Sequence, residues 1–431
     1  MNNIPFPIKI ALDLLEARHY EAYLVGGAIR DFLLGEEPHD FDIATNAKPS
    51  EICEVFQNYR QINNNGEKHG TITVRIDETN IEITSYRGNS IQEDLYHRDL
   101  TINAIALSKD GTLIDPRGGQ KDLANRLLTM GEDPISIIEE DPLRILRILR
   151  FHSSLRFDID EKTKKAALEK APLLSGVAKE RILTELRQIM IAEDIDDILF
   201  DYREIFGILF PDLVPCFDHD QHNPWHANDL YTHIVHVVNG VPPQFILRTA
   251  ALFHDIGKVP TESIEDKGNG QYVKHFYGHP LVSKKMTEPI LAEYHFPIKE
   301  QKEILFLVAH HDNEIALTER SVKKALAKIN EFDENPLPIL EMLLDLQISD
   351  HNDHTTITPI HKAETLQIAA KILDSKSAFR IKDLDVDGYD LQKLGYQGQD
   401  IGKILNLVLD KVIANELPNQ KEAILHFLQT N

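Results

Sequence analysis

Hydrophobic periodicity changes once along this chain, at about residue 135, and that change constrains the fold more than any other feature. Before it, apolar residues fall in short runs typical of strands: Ala22–Val25, Phe41-Asp42-Ile43, the alternation Ile72, Val74, Ile76, then Ile81-Glu82-Ile83. A period of two marks a half-buried strand. In the same part, Ile8 to Ala17 places Ile8, Ala11, Leu12 and Leu15 at helical spacing. Asn65-Gly66 and His69-Gly70 read as turns. Beyond residue 135 the strand pattern ends and helical spacing takes over, broken by loops near 211–228, 259–278 and 350–360. The acidic run Asp383 to Gly398 reads as a connection before a last helix, Ile401 to Ala414. The expected fold is α+β: a small mixed sheet with helices, followed by a mainly helical body.

A chain of 431 residues suggests about three domains. Its apolar content, 42%, is ample for packed cores. Two cysteines, Cys53 and Cys216, exclude a disulfide framework and lead us to expect a reducing, cytoplasmic setting. The sequence has no run of about 18 apolar residues, so no membrane partner is expected. Its start, Met1 to Pro5, lacks the basic-then-apolar pattern of a secretory leader. The net charge of −23 weighs against a general affinity for nucleic acid. Residues 142–187 run the other way, at +5, and supply the expected footprint for an RNA backbone.

Two motifs in the first part point to phosphate chemistry. Leu24-Val25-Gly26-Gly27-Ala28-Ile29-Arg30-Asp31 is a strand, a glycine pair and a helix start. Such a turn lets backbone N–H groups approach a phosphate. Asp40 and Asp42 are two apart on an expected strand, so both face one side and suit Mg²⁺. Further on, Asp141-Pro142 reads as a helix cap followed by proline at the first position. Arg144, Arg147 and Arg150 then form a basic stripe beside Leu143, Leu146 and Leu149.

With these motifs the chain resembles the class II CCA-adding tRNA nucleotidyltransferases, whose heads are of the polymerase-β superfamily. Gly26–Asp31 with Asp40-Phe41-Asp42 matches the family's first motif, and His97–Ala104 its second. Asp115–Leu123 matches the third, Glu140–Arg147 the fourth, and Lys179–Ile182 resembles the fifth. His97 stands where the family usually has arginine. The resemblance implies an enzyme adding C, A or both from CTP and ATP to the 3′ end of tRNA. Asp40 and Asp42 would be catalytic and hold Mg²⁺; Gly26, Gly27 and Arg30 would position the triphosphate. Arg98, Asp99 and Asn103 would meet the nucleotide's ribose side, and Asp141 and Arg144 would read its base. Arg147 and Arg150 would serve phosphates or the RNA end. Many relatives have about thirty residues between the carboxylate strand and the second motif. Here only Gly88 to His97 separate Arg87 from Arg98, a shortening the family associates with CC-only addition.

Phe253-His254-Asp255-Ile256-Gly257-Lys258, expected on a helix, resembles the HD-superfamily phosphohydrolases. The likeness implies a divalent metal (Ni²⁺, Mn²⁺ or Mg²⁺) on His233, His254, Asp255 and Asp350. His279 and His310, or its neighbour His311, are candidates for a second ion. The implied parts are a head at 1–135, a neck at 136–210, an HD domain at 211–365 and a helical tail at 366–431. Two other readings compete: a bacterial poly(A) polymerase, and a phosphohydrolase with a degenerate nucleotide-binding head. The first usually carries a basic tail, whereas Lys421 is the only Lys or Arg in Leu417–Asn431.

Overall fold

A computed structural model describes residues 4–38, 40–62, 70–193, 195–223, 227–268, 270–354, 359–375 and 377–430. The expected turn at Asn65-Gly66, together with His69 and His39, lies outside the described residues. The chain forms two compact units, Met1–Ile189 and Met190–Asn431.

The first unit is built on a mixed sheet, which has seven strands among the described residues. In chain order they are β1 Ala22–Val25, β2 Phe41–Thr45, β3 Arg60–Ile62, β4 Thr71–Ile76, β5 Thr79–Ser85, β6 Ala106–Leu107 and β7 Leu113–Ile114. Their spatial order is β3-β4-β5-β2-β1-β6-β7. Only β2 and β5 pair in parallel; the other neighbours are antiparallel. The alternation read from the sequence is the core face: Ile72, Val74, Ile76, Ile81 and Ile83 are buried. The first helix, Phe6–Glu16, buries Ile8, Ala11, Leu12 and Leu15. Helices Pro134–Glu140, Arg144–Leu155, Glu161–Lys170 and Lys179–Ile189 complete the unit. Two-residue strands Leu127–Leu128 and Asp158–Ile159 pair among them, so strand structure does not stop at residue 135.

Among the described residues the second unit is helical apart from one ribbon. The expected loop at 259–278 contains an antiparallel ribbon, Ser263–Gly268 with Gln271–His275. Residues of its first strand are exposed on both faces, so no alternation of burial was there to be read. The acidic connection also holds structure, a 3₁₀ turn at Ile381–Asp383 and a helix at Gly388–Lys393. Gln399–Ile413 is not the last helix: Lys421–Thr430 follows and packs Ile424 and Leu428 into the same apolar cluster. No helix of the described residues is long and apolar enough to cross a membrane.

Candidate active site and a second metal-ligating cluster

In the first unit, β1 ends at Val25 and the helix Gly27–Leu34 starts two residues later. Gly26 links them at φ 74°. A Cβ there would sit 3.1 Å from Asp42 Oδ2 and 3.4 Å from Arg98 Nη1, so glycine alone lets the turn come this close. Parallel pairing sets Asp42 of β2 beside Glu82 of β5. Asp40 lies exposed just before β2. Burial, then the charge of Glu82, raise the Asp42 carboxyl to about 6; Asp40 adds to this and Arg98 opposes it. Carboxylates whose repulsion is this poorly relieved by the protein fit a hard divalent cation. Glu82 belongs to none of the sequence motifs. Its signal was a charge between two strand isoleucines, Ile81 and Ile83.

Asp42 and Glu82 open onto a cavity of about 360 Å³, also lined by Arg98, Asp99, Asp141, Arg144, Arg147 and Arg181. Six of the expected site residues are thus brought to one cavity. Arg30, Asn103 and Arg150 do not line it. Arg30 Nη1 donates to Asn103 Oδ1 at 3.1 Å. Arg30, Arg147 and Arg150 surround the Phe151 ring, at 5.2, 5.8 and 4.5 Å from its centroid.

The basic stripe is mostly paired. Arg147 Nε donates to Asp99 Oδ2 at 2.7 Å, and Arg150 Nε lies 2.9 Å from Glu185 Oε2. Burial opposes charge on Asp99, yet Arg147 and the Leu100 N–H outweigh it and hold its carboxyl at about 2. Arg144 is buried, donating to Glu140 Oε2 at 2.7 Å and to the carbonyls of Ile137 and His97. Asp141 ends one helix in extended backbone, and its Oδ1 accepts from the Leu143 N–H at 3.2 Å; the next helix starts at Arg144 with Leu143 at its N-cap, so the expected cap at Asp141 with Pro142 in the first helical position does not form. Its Oδ2 accepts from Arg181 Nη2 at 2.7 Å. The formal +5 of this stretch overstates its field, because Glu140, Asp141 and Asp99, outside the stretch, neutralise part of it. Arg87 to Arg98 is closed by a short helix, Ile91–Tyr96, capped by Ser90.

The second unit gathers the other expected set. His233 lies on the helix Leu230–Gly240 and Asp350 on Pro336–Asn352. His254 and Asp255 follow the end of Phe245–Phe253, in a turn rather than within the helix. The tighter turn allows adjacent side chains to reach one centre. His233, His254, Asp255 and Asp350 are all buried, with ligand atoms within 4.8 Å of one another. Asp255, His279 and His311 form a second such group. Asp255 therefore faces both: its Oδ2 is 3.3 Å from His233 and His254 Nε2, its Oδ1 3.1 Å from His279 Nε2 and 3.4 Å from His311 Nε2.

Of the two histidines left open, His311 joins the candidate cluster and His310, among the described residues, does not. The helix Ile298–His310 ends so that His310 stacks on Phe306 at 4.4 Å, while His311 turns inward. The tautomers of the cluster are set from outside. Nδ1 of His254, His279 and His311 lies 2.6, 2.9 and 2.8 Å from carbonyls of Ala251, Phe276 and Val308. A carbonyl only accepts, so each Nδ1 carries the hydrogen and Nε2 presents a lone pair inward. His233 Nδ1 is 2.8 Å from Asp353 Oδ2, a partner the sequence reading missed. Lys258, also unassigned before, puts Nζ 2.6 Å from Asp255 Oδ2. Burial disfavours charge on His233, but hydrogen bonds to Asp255, Asp350 and Asp353 outweigh it and raise the imidazole to about 10. Beyond the Lys258 ion pair and the imidazoles around it, neither buried carboxylate oxygen of Asp255 has a hydrogen bond of good geometry, which fits a divalent ion on each side.

Three stretches match known families: residues 22–129 the Poly A polymerase head domain, 156–216 a probable RNA and SrmB-binding site of polymerase A, and 284–428 a tRNA nucleotidyltransferase domain 2. The CC-adding tRNA nucleotidyltransferase of Shouchella clausii is 42% identical over 180 residues, covering 42% of this chain and 47% of that protein. The CCA-adding enzyme of a Geobacillus species is 40% identical over 203 residues, covering 43% and 50%. The match thus spans about half the length of these curated relatives. The fold is similar to the crystal structure of the Bacillus stearothermophilus CCA-adding enzyme in complex with CTP: TM-score 0.69, 22% identity, 98% of this chain and 96% of that one. Sheet, glycine turn and carboxylate pair define a nucleotidyltransferase-type head. With the segments that follow, the chain is similar to the CCA-adding tRNA nucleotidyltransferases over these stretches.

Proposed function

We propose that this chain extends the 3′ end of tRNA with C, A or both, from CTP and ATP. The observation that carries the reading is the single cavity that joins the Asp42–Glu82 carboxylates to Asp141 and Arg144. Asp40 and Asp42, with Glu82, would hold Mg²⁺. When bound, such ions lower the pKa of an attacking hydroxyl and neutralise a leaving pyrophosphate. The chain's residues do the rest. Gly26 and Gly27 admit the triphosphate against backbone N–H groups, and Arg30 and Arg98 supply positive charge near it. Asp99 and Asn103 border the ribose. Asp141 accepts from the exocyclic amine of cytosine or adenine, a group that uracil lacks and guanine replaces at that position with oxygen. Asp141 is engaged by Arg181 in this structure, so base reading requires that ion pair to open. Arg147 and Arg150 extend the basic wall toward RNA.

We propose a head at 1–135, a neck at 136–210 that runs across the division between Ile189 and Met190, a metal-dependent domain at 211–365 and a tail at 366–431, working in the cytoplasm. The short Ile91–Tyr96 link, in place of a long loop, favours CC-only addition. Incubation with tRNA ending at the discriminator base tests both points, using CTP, ATP or both. Arrest after two residues with both nucleotides present supports CC addition, and a three-residue product refutes it. Absence of any incorporation refutes the transferase reading.

The buried cluster favours a second activity in the same chain. His233, His254, Asp255 and Asp350 would hold one ion, and Asp255, His279 and His311 another. Metal there supplies an activated water for phosphate-ester hydrolysis. Lys258 and Asp353 would orient Asp255 and His233.

A further inference from the structure

Resting on that phosphohydrolase reading, we propose that the strands Ser263–Gly268 and Gln271–His275, with His222 and Tyr277, form a nucleobase platform. It would present the phosphate-bearing end of a single-stranded RNA to the buried metal cluster. Two imidazole–phenol pairs carry the inference. His222 stacks on Tyr272 with centroids 4.0 Å apart and planes 21° apart. His275 stacks on Tyr277 at 5.2 Å and 11°. Packing does not account for them, since Tyr277 is 77% and Tyr272 40% exposed.

Each pair is one residue from a group that touches the cluster. Gln221, next to His222, accepts through Oε1 from Lys258 Nζ at 3.1 Å, and Lys258 ion-pairs with Asp255. Phe276, between His275 and Tyr277, is buried; its carbonyl accepts from His279 Nδ1, and its ring lies 5.8 Å from Lys258 Nζ. A scattered exposed aromatic needs no explanation, but two stacked pairs tied to the two sides of one ligand set do. The cavity beside His222 and Tyr272, about 530 Å³, is also lined by Asp218, Asp220 and Asn228. Carboxylates and an amide suit the amino groups of a base and repel a phosphate, which directs the ester toward the cluster instead. Every base has a π face, so stacking tolerates any sequence at the RNA end.

The test uses full-length protein with Mn²⁺ and a short RNA ending in 4-thiouridine 3′-phosphate. After irradiation the cross-linked peptide is mapped. We expect label at His222 or within residues 263–277, reduced about fivefold or more in a Tyr272→Leu/Tyr277→Leu variant, the scale of losing a base stack. Label confined to other segments overturns the platform. In parallel, kcat/KM is measured for that RNA end and for p-nitrophenyl phosphate, which has no base. The ratio of the two is expected to fall about tenfold in the double variant. An unchanged ratio, whether both values fall together or neither does, also overturns it. If neither ester is hydrolysed while the label still falls on the ribbon, the phosphohydrolase reading fails and the platform stands.

Discussion

Acidifying from pH 7 to pH 5 is expected to weaken divalent-metal binding at the head about tenfold, through one carboxyl. Asp42 must be ionised to take a cation, and burial with Glu82 nearby has raised it to about 6. Proton and metal compete, so the apparent dissociation constant scales as one plus the protonated-to-ionised ratio. That factor is about 1.1 at pH 7 and about 11 at pH 5, a loss of about 1.4 kcal/mol. With the ordinary aspartate value of 3.8, the same change of pH would cost less than about 1.1-fold. Mn²⁺ binding followed by electron paramagnetic resonance, without nucleotide, avoids the titration of nucleotide phosphates. Subtracting an Asp42→Asn variant isolates the head from the second cluster. A difference signal as strong at pH 5 as at pH 7 would refute the reasoning, as would an equal weakening in the variant.

His311→Ala is expected to lose bound metal and His310→Ala to retain it, read as metal-to-protein stoichiometry by mass spectrometry. Asp353→Ala removes the acceptor that orients His233, so metal affinity is expected to drop about 10–100-fold without loss of the helical circular dichroism. In Gly257→Ala the new Cβ would lie 2.5 Å from Ser283 N and 2.6 Å from His279 O, so the turn must shift. A lower melting temperature is expected, with loss of the His279 side of the cluster; an unchanged metal count speaks against the close fit. Metal uptake by apoprotein at pH 7 is expected to release about one proton from His233, measured in weak buffer, because that imidazole is raised to about 10 and must be neutral to bind. Silent uptake contradicts it.

Legibility followed the range of the interactions involved. The strands Ala22–Val25 and Thr71–Ile76 are readable to the residue, because a short apolar run and period-two burial are both local patterns. The ribbon is not, since exposed strands leave no apolar trace. The motif residues of the head were legible because glycine turns and paired aspartates act over a few positions. Glu82 became a site residue only through the parallel β2–β5 register, a pairing forty residues apart in the chain.

By itself, the sequence determined which chemistry was available: carboxylates and a glycine turn for a nucleotide, and a histidine–aspartate set for metal. The tertiary structure decided which groups are free to perform it. It buried Arg144 against Glu140, closed Arg181 on Asp141, and chose His311 over its neighbour by the point at which a helix ends. It also raised Asp42 while holding Asp99 down. The reason is physical: residue type fixes what a side chain can donate, accept or hold, but burial and the charges packed beside it set whether it does so.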